Sequence, residues 1–348
     1  MDYYNYYKKF KNLTPKKIII EYNLRFIFEH FLGFKIFQEL IKLWDKKIQK
    51  KIYKSIKSTK KINVKIKEFD SDINPKILQE KYIKKGIPFI LRSGAKKWNA
   101  FLKWDFRFFK EKYGNHPVIL SNHPDLGDYK NLDAGIINSN LRNIIEGISK
   151  NSMKYARFNP LLDTYKELQN DLNQDWLDKV RNTKIKKHHV LFIGNKGTKT
   201  NIHTAGTDNL FVQIRGKKKW LIWDQKVHYI INPKVNRAPA KVSNINPNKI
   251  NNSNLAFNHL PKCEIILKEG DIIFIPAYLW HYVENLTPSI GIGIRWLSLY
   301  NSFRNNPLLA NLELFNTSPS IFSTLNWKKG FDFNQILTKN LKTNNQSE

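Results

Sequence analysis

The sequence predicts a mainly β chain with added helices, an α+β fold whose second half closes into a jelly roll. Three observations carry this. After residue 186, short hydrophobic runs separated by Gly, Asn and Pro dominate, as in sandwich and barrel folds. Before it, helical spacing alternates with a few β-rich stretches. At the start, apolar residues at three and four spacing run alongside many lysines, the pattern of a basic amphipathic helix. The expected organisation is an N-terminal helical segment over 1–61, one domain over 62–315 and a loose tail over 316–348. Within the domain, 62–185 is a helical prelude, 186–300 the barrel and 301–315 a closing helix.

Residues 18–57 read as one long helix or two, through Ile20, Leu24, Ile27, Phe31, Phe34, Ile41, Ile48, Ile52 and Ile56. Phe26, Phe28, Phe37, Leu40 and Trp44 widen the apolar face beyond a narrow seam. Glu21, Arg25, Glu29, His30 and Lys35 interrupt the run, so it lacks the roughly 18 uncharged apolar residues that a bilayer span needs. From Lys46 to Lys61 there are eight lysines and no acidic residue. An apolar face beside such a run suits the surface of an anionic membrane, reached through residues 18–61. The same face also suits packing on the barrel body or on a second copy in a homodimer.

From Val64 the pattern becomes mixed. Residues 74–84 have helical spacing, and 86–92 form a short β-rich run after a Gly-containing turn. Residues 98–113 read as an aromatic loop and helix, 117–120 as a strand, and 141–172 as mainly helical with a break at Asn159-Pro160. Strands are expected at 189–194, 210–215, 219–223, 264–268, 272–276, 281–285 and 289–296. Between 231 and 261 lies an Asn- and Pro-rich loop, long enough to be functional or mobile. A closing helix is expected over 308–315, and no internal repeat is visible.

At 348 residues, with 13% aromatic and 41% hydrophobic content, the chain buries a real core and is not generally disordered. Lys and Arg number 59 against 29 Asp and Glu, a formal net charge of +30. Such an excess attracts polyanions, nucleic acid or an anionic membrane. It also accompanies the abundance of Asn and Ile that an A/T-rich coding sequence imposes, so both readings stand. The lone Cys263 forms no internal disulfide, and it is expected to be a buried structural thiol. The first residues lack the layout of a secretory signal, so an intracellular protein, cytoplasmic or nuclear and peripheral to membranes if the helix binds them, is expected.

Two segments carry the chemistry. One runs from Thr200 through His203, Ala205, Asp208 and Asn209 to Lys218 and Trp220; the other is Gly270-Asp-Ile-Ile-Phe-Ile-Pro276-Ala-Tyr-Leu-Trp-His281. Imidazole nitrogen suits ferrous iron, and distant strands of a jelly roll converge at the barrel mouth, so His203 and His281 are candidate metal ligands. Together with the prelude Gly86-Ile-Pro-Phe-Ile-Leu and Trp98, and with Tyr155-Ala-Arg-Phe-Asn-Pro-Leu-Leu, these segments resemble JmjC-type, cupin-like oxygenases over about residues 62–300.

The resemblance implies a cupin jelly roll, a double-stranded β-helix, using Fe(II) and 2-oxoglutarate. It assigns His203 and His281 as iron ligands, and Thr200 and Lys218 as partners of the distal carboxylate of 2-oxoglutarate. Asn209 falls near the cosubstrate and Tyr155 at a tyrosine reaching the same carboxylate, while Trp220, Trp280 and Trp296 read as barrel packing. The chain departs from the family at Ala205, where a carboxylate ligand normally stands two residues after the first histidine. Three consequences stay open: an active centre with an open coordination site, rescue by Asp208 or another carboxylate, or a catalytically silent binding and scaffold protein. The activity implied is hydroxylation of a protein side chain or of RNA.

Overall fold

The computed structural model describes residues 2–10, 12–32, 35–121, 136–235, 240–248 and 252–316; the expected tail, from 317 onward, lies outside them. The strands are β1 (Lys67–Phe69), β2 (Phe89–Leu91), β3 (Pro117–Ser121), β4 (Ile136–Asn140), β5 (Tyr155–Asn159), β6 (His188–Gly194) and β7 (Lys199–Ala205). They continue with β8 (Thr207–Arg215), β9 (Lys218–Trp223), β10 (Ala240–Val242), β11 (Cys263–Leu267), β12 (Ile272–Ile275), β13 (Trp280–Asn285) and β14 (Ser289–Leu297). Seven build one sheet in the order β1-β2-β12-β8-β14-β6-β5, five build another in the order β10-β7-β13-β9-β11, and β3 pairs with β4. Neighbours far apart in sequence lie side by side in both sheets, which is the jelly roll.

The larger sheet is buried on both faces, and its strands show it in sequence. Val190 and Phe192 point into the barrel while Leu191 and Ile193 face the helices, so β6 reads as an unbroken apolar run. Strand β14 solves the same problem differently. Ile290, Ile292, Ile294 and Trp296 pack outward, and Gly291 and Gly293 leave the inward face bare. A methyl on Gly291 would sit 2.3 Å from the Phe211 ring, so the close approach of that ring requires glycine there.

Three elements differ from the sequence expectation. His203 lies on a strand rather than a loop: β7, Lys-Thr-Asn-Ile-His-Thr-Ala, lacks an apolar run because its inward face carries polar side chains. Residues 155–159 form the edge strand β5 in place of helix, since pairing with β6 overrides local preference. The long 231–261 segment supplies β10, paired with β7, and a 3₁₀ stretch over Asn252–His259; its residues 236–239 and 249–251 are outside the described ones.

The N-terminal run folds as two helices, Lys16–Leu32 and Gln38–Ile56, with a 3₁₀ turn over Lys35–Phe37 before the second. A short helix over Tyr3–Phe10, absent from the sequence reading, precedes them. Tyr3, Tyr7, Phe10, Tyr22, Phe26, Ile48, Ile52 and Ile56 share one core cluster with Trp220, Trp223 and Tyr229 of the barrel half. Part of the apolar face therefore packs on the barrel body, through Phe26, Ile27, Trp44, Ile48, Ile52 and Ile56. Ile20, Leu24, Phe31, Leu32, Ile36, Leu40 and Leu43 remain exposed. Among the described residues, no helix is long and apolar enough to cross a membrane. The closing region is two helices, Leu299–Asn305 and Pro307–Asn316.

Because Ile52 is fully buried and Ile20 is 57% exposed, the same truncation should separate them. Ile52→Ala is expected to cost about 2–5 kcal/mol in urea unfolding. Ile20→Ala should stay within about 0.5 kcal/mol of the parent chain; equal effects would contradict the packing.

Candidate active site

The five-stranded sheet places the site by register. On β13, His281, Val283 and Asn285 alternate onto one face, and their partners on β9 are Ile222, Trp220 and Lys218. On the other side, His281 pairs with His203 and Val283 with Thr200. A bulge in β7 lies between these pairs, so Thr200 and His203, three residues apart, share a face despite the two-residue period of a strand. One inward surface thus carries His203, His281, Thr200 and Lys218. Four of the expected site residues are brought together by this pairing.

The two imidazole rings lie 4.1 Å apart, centroid to centroid. Each Nδ1 is 2.8 Å from the backbone carbonyl two residues earlier, Asn201 for His203 and Leu279 for His281. A carbonyl only accepts, so Nδ1 carries the proton and Nε2 of each ring keeps its lone pair. Trp220 lies nearly flat on His281, 5.5 Å away at 28°, fixing the ring further. Burial holds both histidines neutral, His203 well below its ordinary pKa and His281 at about 4.

Lys218 is 1% exposed and among the largest fully buried side chains. Its Nζ donates to the Tyr155 hydroxyl at 3.3 Å and lies 4.6 Å from the Phe211 ring centre and 5.5 Å from that of Phe192. Tyr155 in turn hydrogen-bonds with Thr200. Among the described residues no carboxylate offsets the burial of this ammonium, which lowers its pKa to about 7. Ring faces offset part of that cost; an anionic ligand would offset more. Asn209, buried on β8, faces the same interior, and its Oδ1 has no hydrogen-bond partner among the described residues.

Asp208 is not brought to the histidines. It lies opposite Trp296 on the outer face of β8, while Asn209 points inward opposite Arg295. Its carboxylate accepts from the Ala277 amide at 2.8 Å and the Asn301 amide at 2.7 Å, tying the β12–β13 turn to the Leu299–Asn305 helix. Burial raises its pKa to about 7 against those bonds. The expected role of Asp208 as a metal ligand is therefore corrected: alternation on the strand points it away.

Two site residues escaped the sequence reading. Arg157 is two residues after Tyr155 on β5, and Arg295 follows the bare positions 291 and 293 on β14. Alternation with Gly291 and Gly293 puts Arg295 on the inward face, a signal present in the sequence, whereas a register shift between Ala156 and Asn159 interrupts β5 and Arg157 is placed by its contact with the Tyr155 ring. Arg295 lies over the Phe158 ring at 4.8 Å and Arg157 over Tyr155 at 5.8 Å. Both guanidinium charges bear on His203, and that of Arg295 also on His281.

Ferrous iron does not fit this donor set. Two neutral imidazoles supply no charge, Ala205 supplies no donor atom, and the charged groups acting on the pair have the metal's own sign. Among the described residues, no group of three or more His, Cys, Asp or Glu is placed to hold a metal. The chemistry of Lys218, Tyr155, Thr200 and Asn209, one buried ammonium among neutral polar groups, suits a carboxylate better than a cation.

The sequence profile of the family described as "Cupin-like domain" matches residues 75–301. JmjC domain-containing protein C of Dictyostelium discoideum is 28% identical over 170 residues, covering 45% of this chain and 39% of that protein. JmjC domain-containing protein D of the same organism is 26% identical, covering 62% and 52%. A lysine-specific demethylase of Arabidopsis thaliana is 24% identical over 224 residues, covering 62% and 51%. The chain thus spans about half, or less, of the length of these relatives.

Since Lys218 has a pKa of about 7, it must take up a proton above that pH to pair with an anion. Binding of 2-oxoglutarate, followed by calorimetry, should weaken by up to about tenfold per pH unit between about pH 7 and about pH 9. Lys218→Met should remove both the binding and its pH dependence. A pH-independent affinity would contradict carboxylate binding at Lys218.

Proposed function

The chain belongs to the cupin-like domain family, and on that premise we propose that its barrel binds a dicarboxylate of the 2-oxoglutarate class and does not turn it over with iron. The observation that carries this is Ala205, two residues after His203 on β7, with no group of three or more His, Cys, Asp or Glu placed to hold a metal among the described residues. The buried group of Lys218, Tyr155, Thr200 and Asn209, linked by hydrogen bonds from Lys218 to Tyr155 and between Tyr155 and Thr200, supports the dicarboxylate part of this reading. The metal side has lost its anion.

A second reading has one observation in its favour: both Nε2 atoms keep their lone pairs on rings held 4.1 Å apart. Under it the chain is an Fe(II)- and 2-oxoglutarate-dependent oxygenase acting on a protein side chain or on RNA, and a protein substrate accords with the name of the Arabidopsis relative. For either reading, the exposed apolar residues Ile36, Leu40 and Leu43 beside a lysine-rich helix offer a contact surface. Flotation with anionic liposomes, set against sedimentation of the free chain, distinguishes an anionic membrane from a homodimer as its occupant.

The two functional readings part in an anaerobic titration of the full chain with Fe(II) and 2-oxoglutarate. The proposed function expects no visible charge-transfer band, and no succinate once oxygen is admitted. A stoichiometric band that disappears in His281→Ala, with succinate release, would establish the oxygenase instead.

A further inference from the structure

The two N-terminal helices carry a surface that the barrel does not cover. Of the sixteen large hydrophobic side chains exposed among the described residues, seven lie between Ile20 and Leu43. Ile36 is 80% exposed and Leu40 66%. Single apolar residues on a surface are ordinary, but a concentration of them on adjoining helices marks a contact site.

Helical spacing sets out that surface. On the Lys16–Leu32 helix, Ile20, Leu24 and Phe31 form one stripe, on the side opposite Tyr22 and Phe26, which pack into the core. On the Gln38–Ile56 helix, Leu40 and Leu43 begin a stripe that continues through Lys47, Lys50 and Lys54, opposite the buried Ile41, Ile48 and Ile52. The helices run antiparallel: Lys51 Nζ reaches the Glu21 carboxylate at 2.7 Å, and the Phe28 ring meets those of Trp44 at 6.2 Å and Phe37 at 5.8 Å. The pair is therefore apolar at one end, through Phe31, Ile36, Leu40 and Leu43, and basic toward the other, where Lys16 and Lys17 lie at the same end as Lys50 and Lys54.

The basic stripe is not neutralised within the chain. All four carboxylates of residues 16–61 have cationic partners: Glu21 has Lys51, Glu29 and Asp45 share Arg25, and Glu39 has Lys42. Lys47, Lys50 and Lys54 are exposed and, among the described residues, form no ion pair. An occupant must therefore accept leucines and lysines side by side. A second copy would set one lysine stripe against another in a chain of net charge +30. A nucleic acid would leave Ile36, Leu40 and Leu43 in water. An anionic lipid surface accepts both, acyl chains around the apolar residues and headgroup charges against the lysines.

We propose that this helix pair docks the protein on an anionic lipid surface, its apolar end among the acyl chains and its lysines at headgroup level. The docking is independent of what the barrel binds.

Flotation of the full chain with vesicles of phosphatidylcholine, alone or mixed with phosphatidylserine, tests this. The chain is expected to float with the mixed vesicles and far less with phosphatidylcholine alone. Binding should fall as ionic strength rises from about 0.1 M to about 1 M, which shortens the screening length from about 10 Å to about 3 Å. Leu40→Ser combined with Leu43→Ser should weaken it about tenfold or more, and Lys47→Gln or Lys50→Gln up to about fivefold each. All four side chains are exposed, so the variants should fold; the lipid and salt comparison on the unmodified chain decides the matter even where one does not. No flotation, flotation indifferent to phosphatidylserine, or a double leucine variant that floats like the parent chain would overturn the docking. A dimer in sedimentation that the leucine variant abolishes, without flotation, would overturn it in favour of a second copy, and RNA binding without flotation in favour of a nucleic acid.

Discussion

The antiparallel pairing of β13 with β7 is the constraint on which the site depends. It sets His281 opposite His203, and through one bulge it sets Val283 opposite Thr200. Pairing with β9 on the other edge then fixes Trp220 and Lys218 on the same surface. A shift of one residue would turn every one of these side chains to the far face. The backbone carbonyls of Asn201 and Leu279, which orient the two rings, belong to the same strand pair and its entry. Geometry that resembles a designed cluster follows from hydrogen bonding between two short strands.

Charge decides what that geometry does. With Nδ1 given to a backbone carbonyl, each neutral histidine has only an Nε2 lone pair to offer, and the surrounding ionised groups set what can sit beside it. Here the nearest carboxylate in sequence, Asp208, is committed to Ala277 and Asn301 on the other face, where it holds the fold together. Among the described residues, Lys218 is buried inside the barrel and the charges of Arg157 and Arg295 bear on His203. A change of few side chains can therefore alter what such a barrel binds, and the fold need not change with it.

Much of this was legible in sequence. Strands buried on both faces, such as β6, announce themselves as apolar runs, and the motif around His203 and His281 identified the sheet that carries them. What sequence hid was polar. Strand β7 looked like a loop because its inward residues are Thr, His and Ala rather than Val or Ile, and β5 looked helical because an edge strand takes its conformation from its neighbour. Arg157 and Arg295 were passed over because arginine in so basic a chain draws no notice by type. Only its place in the two-residue alternation distinguishes Arg295 from the many on the surface, and the interrupted β5 gives Arg157 no such mark.

The helices before residue 61 share one core with Trp220, the same residue that lies against His281. The stretch common to the family starts after those helices, so the unit that is inherited and the unit that folds have different lengths. Drift in the accessory segment is therefore not independent of drift in the barrel. A substitution at Ile48 or Phe26 therefore disturbs the same core that seats Trp220, the ring lying against His281.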